Sequence, residues 1–166
     1  MNLQVDIQSA SSEPAPDEDD IRRWIAAALE TTGREADCEV SVRLVDNAEM
    51  AKLNHNYRER EGTTNVLSFP SHLPPELEIA LLGDIVICAP LVNQEATAQH
   101  KPLQAHWAHL TIHGTLHLLG YDHLDEAEAA VMEDLESRAL QRLGFPCPYT
   151  EQARPGEEPQ LELRGA

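Results

Sequence analysis

The chain has 166 residues, of which 42% are hydrophobic, and a formal net charge of -17 at pH 7. This length fits one domain with a sizeable core, and no apolar run approaches the about 20 residues that a membrane-spanning helix needs. The charge argues against a broad, nonspecific nucleic-acid surface, because polyanions are attracted by clustered Lys and Arg. Acidic residues concentrate in 13–20, in 125–136 and after 150, however, and 96–121 contain no carboxylate. A divalent ion in that last segment would make it locally positive.

The N-terminus and the cysteines bear on the cellular compartment. The first residues lack the basic and apolar regions of a signal peptide. Cys38, Cys88 and Cys147 are an odd, scattered set, which fits reduced thiols better than a disulfide framework. We therefore expect a cytoplasmic protein.

The first part of the chain predicts a strand and a helix. Apolar and polar residues alternate over 3–7, as in a half-buried strand. Helical periodicity follows over 21–32, with Asp19 or Asp20 as the expected N-cap. Gly33 is a plausible end of this helix, since glycine tolerates the left-handed conformation.

Three further strands and a short helix are expected in the middle of the chain. Alternation predicts a second strand over 40–44, after which Asp46 or Asn47 caps the short helix. Residues 65–70 and 82–88 have the character of a third and a fourth strand. The fourth is rich in β-branched residues and is expected to be central.

The second half of the chain is mainly helical. One helix runs from Pro90 to about Gln99, and Pro102 marks the first turn of the next, where a missing N–H costs nothing. Asp125 is the expected cap of a last helix, and Gly144 follows it. Its expected inward-facing residues are Val131, Met132, Leu135, Leu140 and Leu143.

These elements predict an α+β fold, with a small mixed β-sheet of about four strands packed with about five helices. We expect a single domain over residues 1–150. Residues 151–166 are polar and acidic without apolar periodicity, and are expected to form a disordered tail.

The most informative motif is HGTLHLLGYDH at residues 113–123, which holds three histidines. His113 and His117 lie one helical turn apart and project from the same face, so both imidazoles can reach one metal ion. Gly120 allows the helix to end and the chain to bring His123 back towards them. Three nitrogen ligands leave one position of a tetrahedral zinc site for water or substrate, as in catalytic sites.

The spacing of these histidines is that of the metzincin peptidases, His-Glu-x-x-His-x-x-Gly-x-x-His, with one departure. Gly114 occupies the position of the glutamate that serves those enzymes as general base. Glycine cannot accept a proton, so the motif retains the metal ligands without the peptidase base.

Four segments together resemble the YbeY family of bacterial endoribonucleases and ribosomal RNA maturation factors. They are LNHNYR at 53–58, TNVLSFP at 64–70 followed by LGDIVI at 82–87, KPLQAHWAH at 101–109 and the histidine motif itself. The family usually has aspartate where Asn65 stands, which removes a charge near the expected cleft and puts an acid–base role of that position in doubt.

The resemblance implies a zinc-dependent, single-strand-specific endoribonuclease that acts on the 3′ end of 16S rRNA and in ribosome quality control. It implies that His113, His117 and His123 bind the Zn²⁺ and that Arg58 takes part in cleavage, so that Arg58, His113 and His117 form the catalytic set. The implied partners are single-stranded rRNA, the small ribosomal subunit and an assembly GTPase of the Era type. Neither DNA nor a membrane is expected.

The chemistry of these residue types agrees with phosphodiester cleavage. Zinc lowers the pKa of bound water to about 7, which supplies hydroxide without a neighbouring glutamate. A guanidinium binds phosphate with two hydrogen bonds and stabilises developing negative charge. In isolation, however, Arg58 could equally pair with Glu59 or Glu61 on the surface.

Several alternatives remain open from the sequence. His106 and His109 are helix-face residues or support a metal ligand, and Asp122 either orients a ligand histidine or satisfies turn backbone. For the whole protein, a zinc peptidase is suggested by the spacing and opposed by Gly114. A non-catalytic ribosome-assembly factor with a structural zinc is the other alternative.

Overall fold

The computed structural model describes residues 2–34, 36–58, 64–71, 81–122 and 124–146, with only the backbone at positions 57 and 58. Within these ranges the prediction of an α+β fold with four strands and five helices is confirmed. In chain order the elements are β1 (Leu3–Ser9), α1 (Glu18–Thr31), β2 (Cys38–Val45), α2 (Asn47–Arg58), β3 (Val66–Pro70), β4 (Leu81–Cys88), α3 (Ala89–Ala98), α4 (Leu103–Leu118) and α5 (Glu126–Arg142).

The four strands form one mixed sheet in the order β1-β2-β4-β3. β2 pairs in parallel with both β1 and β4, and β3 pairs antiparallel with β4. The expected central position of β4 is confirmed, because it lies between β2 and β3. β3 is consequently an edge strand, and it packs against α4.

The core lies mainly on one face of the sheet, between the strands and the helices α1, α4 and α5. Alternate residues of the parallel strands point into it, as the period of two predicts. The largest buried side chains there include Trp24, Trp107, Ile85, Ile87, Leu110, Ile112 and Leu116. On the opposite face α2 covers a smaller cluster formed by Val45, Met50, Leu67, Val86 and Cys88.

α4 is enclosed by other elements for most of its length. Every residue from His106 to Leu116 is buried, so the helix has no solvent-facing stripe over three turns. It contacts α1, α3, α5 and both β3 and β4. No helix in the described ranges is both long enough and apolar enough to cross a membrane.

The predicted N-cap of α1 is wrong. The helix begins at Glu18 with Asp17 in the cap position, and Asp17 makes no side-chain cap hydrogen bond. Asp19 and Asp20 lie inside the first turn, where they pair with arginines one turn later instead of capping. Acidic residues suit this position because the helix dipole is positive there. Gly33 follows the helix with a φ of 81°, as expected.

The start of α5 is confirmed, but one of its expected core residues is not. The Asp125 carboxylate accepts a hydrogen bond from the Glu128 backbone N–H at 2.8 Å. Val131 is 52% exposed, because the buried stripe runs instead through Met132, Leu135, Glu136, Ala139 and Leu140. Pro102 occupies the N-cap of α4 rather than its first turn. The predicted tail lies outside the described residues.

Candidate metal centre

His113 and His117 face each other at the C-terminal end of α4. Their ring centroids are 4.6 Å apart with planes at 83°, and the two Nε2 atoms approach to 3.1 Å. Two imidazole nitrogens bound at about 2.0–2.1 Å to one tetrahedral zinc ion lie about 3.4 Å from each other. Two ring nitrogens come this close only if they share a proton or a cation. The pair therefore fits two ligands of one metal ion.

The chain leaves α4 directly after this pair, in the way that Gly120 predicts. Gly120 has a φ of 100°, its N–H donates to the carbonyl of His117, and the N–H of Tyr121 donates to that of Leu116. These two bonds form a Schellman motif, which reverses the chain at the helix end. The predicted third ligand, His123, lies outside the described residues. Within them, no group of three or more His, Cys, Asp or Glu side chains is arranged to hold a metal ion.

Glu136 of α5 connects His113 to a second histidine of α4. One carboxylate oxygen contacts His113 Nδ1 at 2.5 Å, and the other contacts His109 Nε2 at 2.9 Å. A carboxylate accepts from both only if each of these ring nitrogens carries its proton. In neutral His113 the lone pair is then on Nε2, the atom that faces His117. A carboxylate behind a ligand histidine is the usual arrangement in metal sites.

Burial and charge set the protonation of this group. Burial alone would raise the pKa of the Glu136 carboxyl, but the charges of His113 and His109 and two hydrogen bonds hold that pKa well below its usual range. Burial lowers the pKa of His109, which the neighbouring Glu136 offsets only in part. Glu136 is therefore an anion between two imidazoles, and only 1% of it is exposed.

Glu136 was missed from the sequence, where it belongs to the acidic segment 125–136. A signal was present, because it lies four residues after Met132 and four before Leu140, on the buried stripe of α5. A carboxylate at helical spacing within an apolar stripe is rarely buried without a partner. Its partners, however, follow only from the packing of α5 against α4.

Gly114 lies where α4 crosses the sheet most closely. A Cβ atom at this position would be 3.0 Å from Ile85 Cγ2 and 3.3 Å from both Ser68 Oγ and Val66 Cγ2. The Ser68 hydroxyl donates to the Gly114 carbonyl at 2.9 Å. The position that carries the peptidase glutamate in metzincins therefore faces packed side chains of β3 and β4, with no room for a carboxylate.

His106 belongs to a separate buried polar group, two to three helical turns before His113 and His117. Its Nε2 contacts Glu95 of α3 at 3.0 Å, and the Asn65 side-chain amide donates to the same oxygen at 3.3 Å. An ionised aspartate at position 65 would bring a second negative charge to Glu95, whereas the amide donates to it. In this chain Asn65 is thus a structural partner of Glu95.

The structure places the remaining candidate residues only in part. Arg58 is the last residue of α2, and its side chain lies outside the described part of the chain. Asp122 is half-buried in the segment after Gly120. His106 and His109 are both buried and each contacts a glutamate, so neither is an exposed helix-face residue.

A hollow lies on the face of the sheet that is opposite to α4, away from the histidines. Its volume is about 410 Å³, and its lining includes Asp6, Asp84, Glu49 and Arg43. Arg43 binds Glu49 through Nε at 2.7 Å and through Nη2 at 3.1 Å, which lowers the pKa of the Glu49 carboxyl. Three carboxylates and one paired guanidinium repel phosphate, so the C-terminal end of α4 is the better candidate for phosphodiester chemistry.

The fold and the paired histidines define a small α+β protein with a histidine-rich buried helix. The solution structure of TM1509 from Thermotoga maritima has this fold, with a TM-score of 0.56, 21% identity, and coverage of 92% of this chain and 99% of that one. A family model described as Endoribonuclease YbeY matches residues 4–144.

Curated relatives agree with the family match. Endoribonuclease YbeY of Cellvibrio japonicus is 55% identical over 92% of this chain and 86% of its own length. Endoribonuclease YbeY of Pseudomonas fluorescens is 54% identical over 90% of this chain and 97% of its own length. The chain therefore belongs to the YbeY family of endoribonucleases, which confirms the resemblance seen in its sequence.

Proposed function

We propose that this protein is a metal-dependent, single-strand-specific endoribonuclease that matures the 3′ end of 16S rRNA and acts in ribosome quality control. The family supplies the reaction class, since relatives that are 53–55% identical carry the name endoribonuclease. The structural observation that supports it most is the pair of Nε2 atoms, 3.1 Å apart at the end of a rigid helix.

His113, His117 and His123 would hold the metal, with Zn²⁺ as the expected ion. When bound, the ion would supply a Lewis acid and an activated water at neutral pH. Residues of the chain would position the ion. Glu136 fixes the ring of His113, and the packing of α4 fixes the distance between His113 and His117. Arg58 would bind the scissile phosphate through its guanidinium.

The charge of the chain bears on how it meets its substrate. A net charge of -17 implies weak intrinsic affinity for RNA, since few phosphates can be neutralised by clustered cations. We expect positioning to come from docking on the small ribosomal subunit, with an Era-type GTPase as a further partner. The expected compartment is the cytoplasm, without a role for DNA.

The proposal is tested by cleavage of a single-stranded RNA with wild type, His117→Ala and His100→Asn purified in parallel. His100 is exposed and has a φ of 56°, which asparagine tolerates, so this variant controls for contaminating ribonucleases and for loss of any histidine. We expect wild type and His100→Asn to cleave and to bind zinc, and His117→Ala to do neither. Equal cleavage by all three proteins would show that this site does not cleave RNA. No cleavage by any, even with ribosomes present, would favour the assembly-factor alternative.

A further inference from the structure

Glu136 and Glu95 form similar contacts on α4 but differ in what lies beyond the histidine. Glu95 meets His106, whose other ring nitrogen, Nδ1, is buried and has no hydrogen-bond partner in the described part of the chain. Glu136 meets His113, whose other ring nitrogen faces His117. Only the second carboxylate therefore stands directly behind a metal-facing nitrogen.

Glu136 is also the more deeply buried of the two. Its side chain is 1% exposed, against 17% for Glu95, and both of its oxygens contact imidazoles. A buried carboxylate is destabilising unless hydrogen bonds and a nearby positive charge compensate it. The ring N–H groups of His109 and His113 supply those hydrogen bonds, and a cation held by His113 Nε2 would add positive charge on the far side of that ring.

We propose that Glu136 is a positioning residue for the metal, which fixes the tautomer and the ring orientation of His113. This inference rests on the proposed function, because it assumes the metal centre. It goes beyond that function by assigning a role in metal binding to a residue outside the histidine motif: the Glu136 carboxylate holds the proton on His113 Nδ1, so that the lone pair of Nε2 is available to the ion. His109 is part of the unit, since it holds the second oxygen of the carboxylate.

The substitution Glu136→Gln tests this role. Glutamine has almost the same shape and no charge, and its NH₂ group replaces one of the two oxygens, so that the ring N–H of either His109 or His113 loses its acceptor. We expect the zinc affinity to fall by about 10–100-fold, as for other changes behind a ligand histidine. The urea midpoint of the metal-free protein is measured in parallel, so that a loss of zinc affinity can be told from a loss of structure.

Glu95→Gln is the matched control. It removes a carboxylate that contacts another buried histidine of α4, His106, whose ring does not face a proposed metal ligand. Zinc affinity is measured by competition with a chromophoric chelator at pH 8, where imidazoles are mostly neutral, and stability by urea unfolding with and without zinc. The affinity of Glu95→Gln should equal that of wild type. An equal loss in both glutamine variants would mean a general loss of structure and would overturn the positioning role.

A measurement on unaltered protein keeps the inference testable if Glu136→Gln does not fold. The ¹⁵N shifts of the His113 ring in the metal-free protein at pH 8 should show the proton on Nδ1. A proton on Nε2 would contradict the proposal. Equal zinc affinities of wild type and Glu136→Gln would contradict the positioning role of Glu136. The endoribonuclease proposal would be unaffected. Wild type that binds no zinc would refute the metal centre, and the positioning role with it.

Discussion

Because Gly114 has no Cβ atom, α4 approaches the sheet more closely at this position than any larger residue would allow. A Cβ atom at this position would lie 3.0 Å from Ile85 Cγ2, which is tighter than ordinary van der Waals contact. Side chains in this part of the core cannot move far, because protein interiors are packed to the density of organic crystals. Gly114 thus has a packing role, whatever chemistry the neighbouring histidines perform.

Introducing the peptidase base, Gly114→Glu, should therefore destabilise the protein without creating a peptidase. We expect a loss of about 3 kcal/mol or more in the free energy of unfolding, from overpacking and a buried unpaired charge. Gly114→Ala, the smaller control, should lose about 1 kcal/mol, because better helix propensity offsets part of the crowding. Urea unfolding and a casein-cleavage assay measure both effects. A stable, proteolytic Gly114→Glu protein would show that the sheet does not restrict this position.

Arg58 is the residue at which phosphate binding can be tested separately from metal binding. Arg58→Ala should lower kcat for RNA cleavage by about 10²–10³-fold, the usual effect of removing one charge-stabilising donor, with zinc stoichiometry unchanged. Arg58→Lys should recover part of the rate, because lysine keeps the charge but not the two-pronged geometry. Arg138→Ala, which removes an exposed partner of Asp134, is the control. Cleavage by Arg58→Ala at the wild-type rate would contradict a role of Arg58 in catalysis. It would favour the alternative that Arg58 pairs with Glu59 or Glu61 on the surface.

The spacing of the histidines in the sequence was sufficient to predict that two proposed metal ligands lie side by side on α4. His113 and His117 are four residues apart, and helical geometry alone brings their rings together. The carboxylate behind them was not found, because Glu136 is 23 residues further along the chain than His113 and in a different helix. Local patterns indicate which residues share a face, whereas contacts between elements depend on how the helices cross.

At the scale of the element, α5 begins with a reciprocal cap just after the proposed third ligand. The Asp125 carboxylate accepts from the Glu128 N–H, and the Glu128 carboxylate accepts from the N–H of Leu124 at 3.2 Å. The first bond satisfies a backbone donor that the helix itself leaves unpaired, and the second holds the residue before the cap against the first turn.

Asp125→Ala should remove this cap and lower the free energy of unfolding by about 1 kcal/mol. Glu126→Ala, an exposed first-turn substitution without a cap bond, should change it by only a few tenths through the helix dipole. Urea unfolding of the metal-free proteins measures both. An equal effect of the two substitutions would mean that charge near the helix start, rather than the cap bond, stabilises α5.

The elements themselves were largely predictable, and the errors have identifiable causes. Sequence patterns predicted all nine described elements at about their observed positions, through periodicity where an element has one buried face and through β-branched or motif residues where it is enclosed. The cap of α1 was wrong because three consecutive acidic residues, Glu18 to Asp20, suit the first turn as well as they suit a cap. Val131 was assigned to the core because a lone valine next to the apolar stripe cannot be told from a member of it.

For the molecule as a whole, the ionisation of paired carboxyl groups makes the free energy of unfolding depend on pH. The Arg43 guanidinium, which donates hydrogen bonds to the Glu49 carboxylate, holds the pKa of that carboxyl below its ordinary value in the folded protein. A group with a depressed folded pKa contributes stability above its unfolded pKa and loses that contribution as the pH falls. The Arg43–Glu49 pair should therefore stabilise the fold at neutral pH and contribute nothing in strong acid.

The comparison of wild type with Glu49→Gln tests this sign. At pH 7 the variant should unfold at a slightly lower urea concentration, since the pair is partly exposed and screened by solvent. The difference should shrink as the pH falls and vanish once the pH lies below the depressed pKa of the folded Glu49 carboxyl, because the wild-type side chain is then protonated. Glu39→Gln, on the exposed side of β2, serves as the control. A difference that grows on acidification would contradict the depressed pKa.

The strand order β1-β2-β4-β3 is a property of the whole molecule that no local pattern specified. A mixed sheet with a central fourth strand was expected from the apolar character of residues 82–88. The placement of β3 at the edge, antiparallel to β4 and under α4, depends on contacts between segments far apart in sequence. It brings Ser68 to Gly114 and closes the sheet against the histidine helix.

The enclosure of α4 has a consequence for how a metal ion would meet its proposed ligands. A helix buried on every side from His106 to Leu116 can open only when the surrounding elements separate, so its amides should exchange with solvent as slowly as global unfolding allows. His113 and His117 would then keep their mutual distance before any ion arrives, and the ion would meet two proposed ligands already in place.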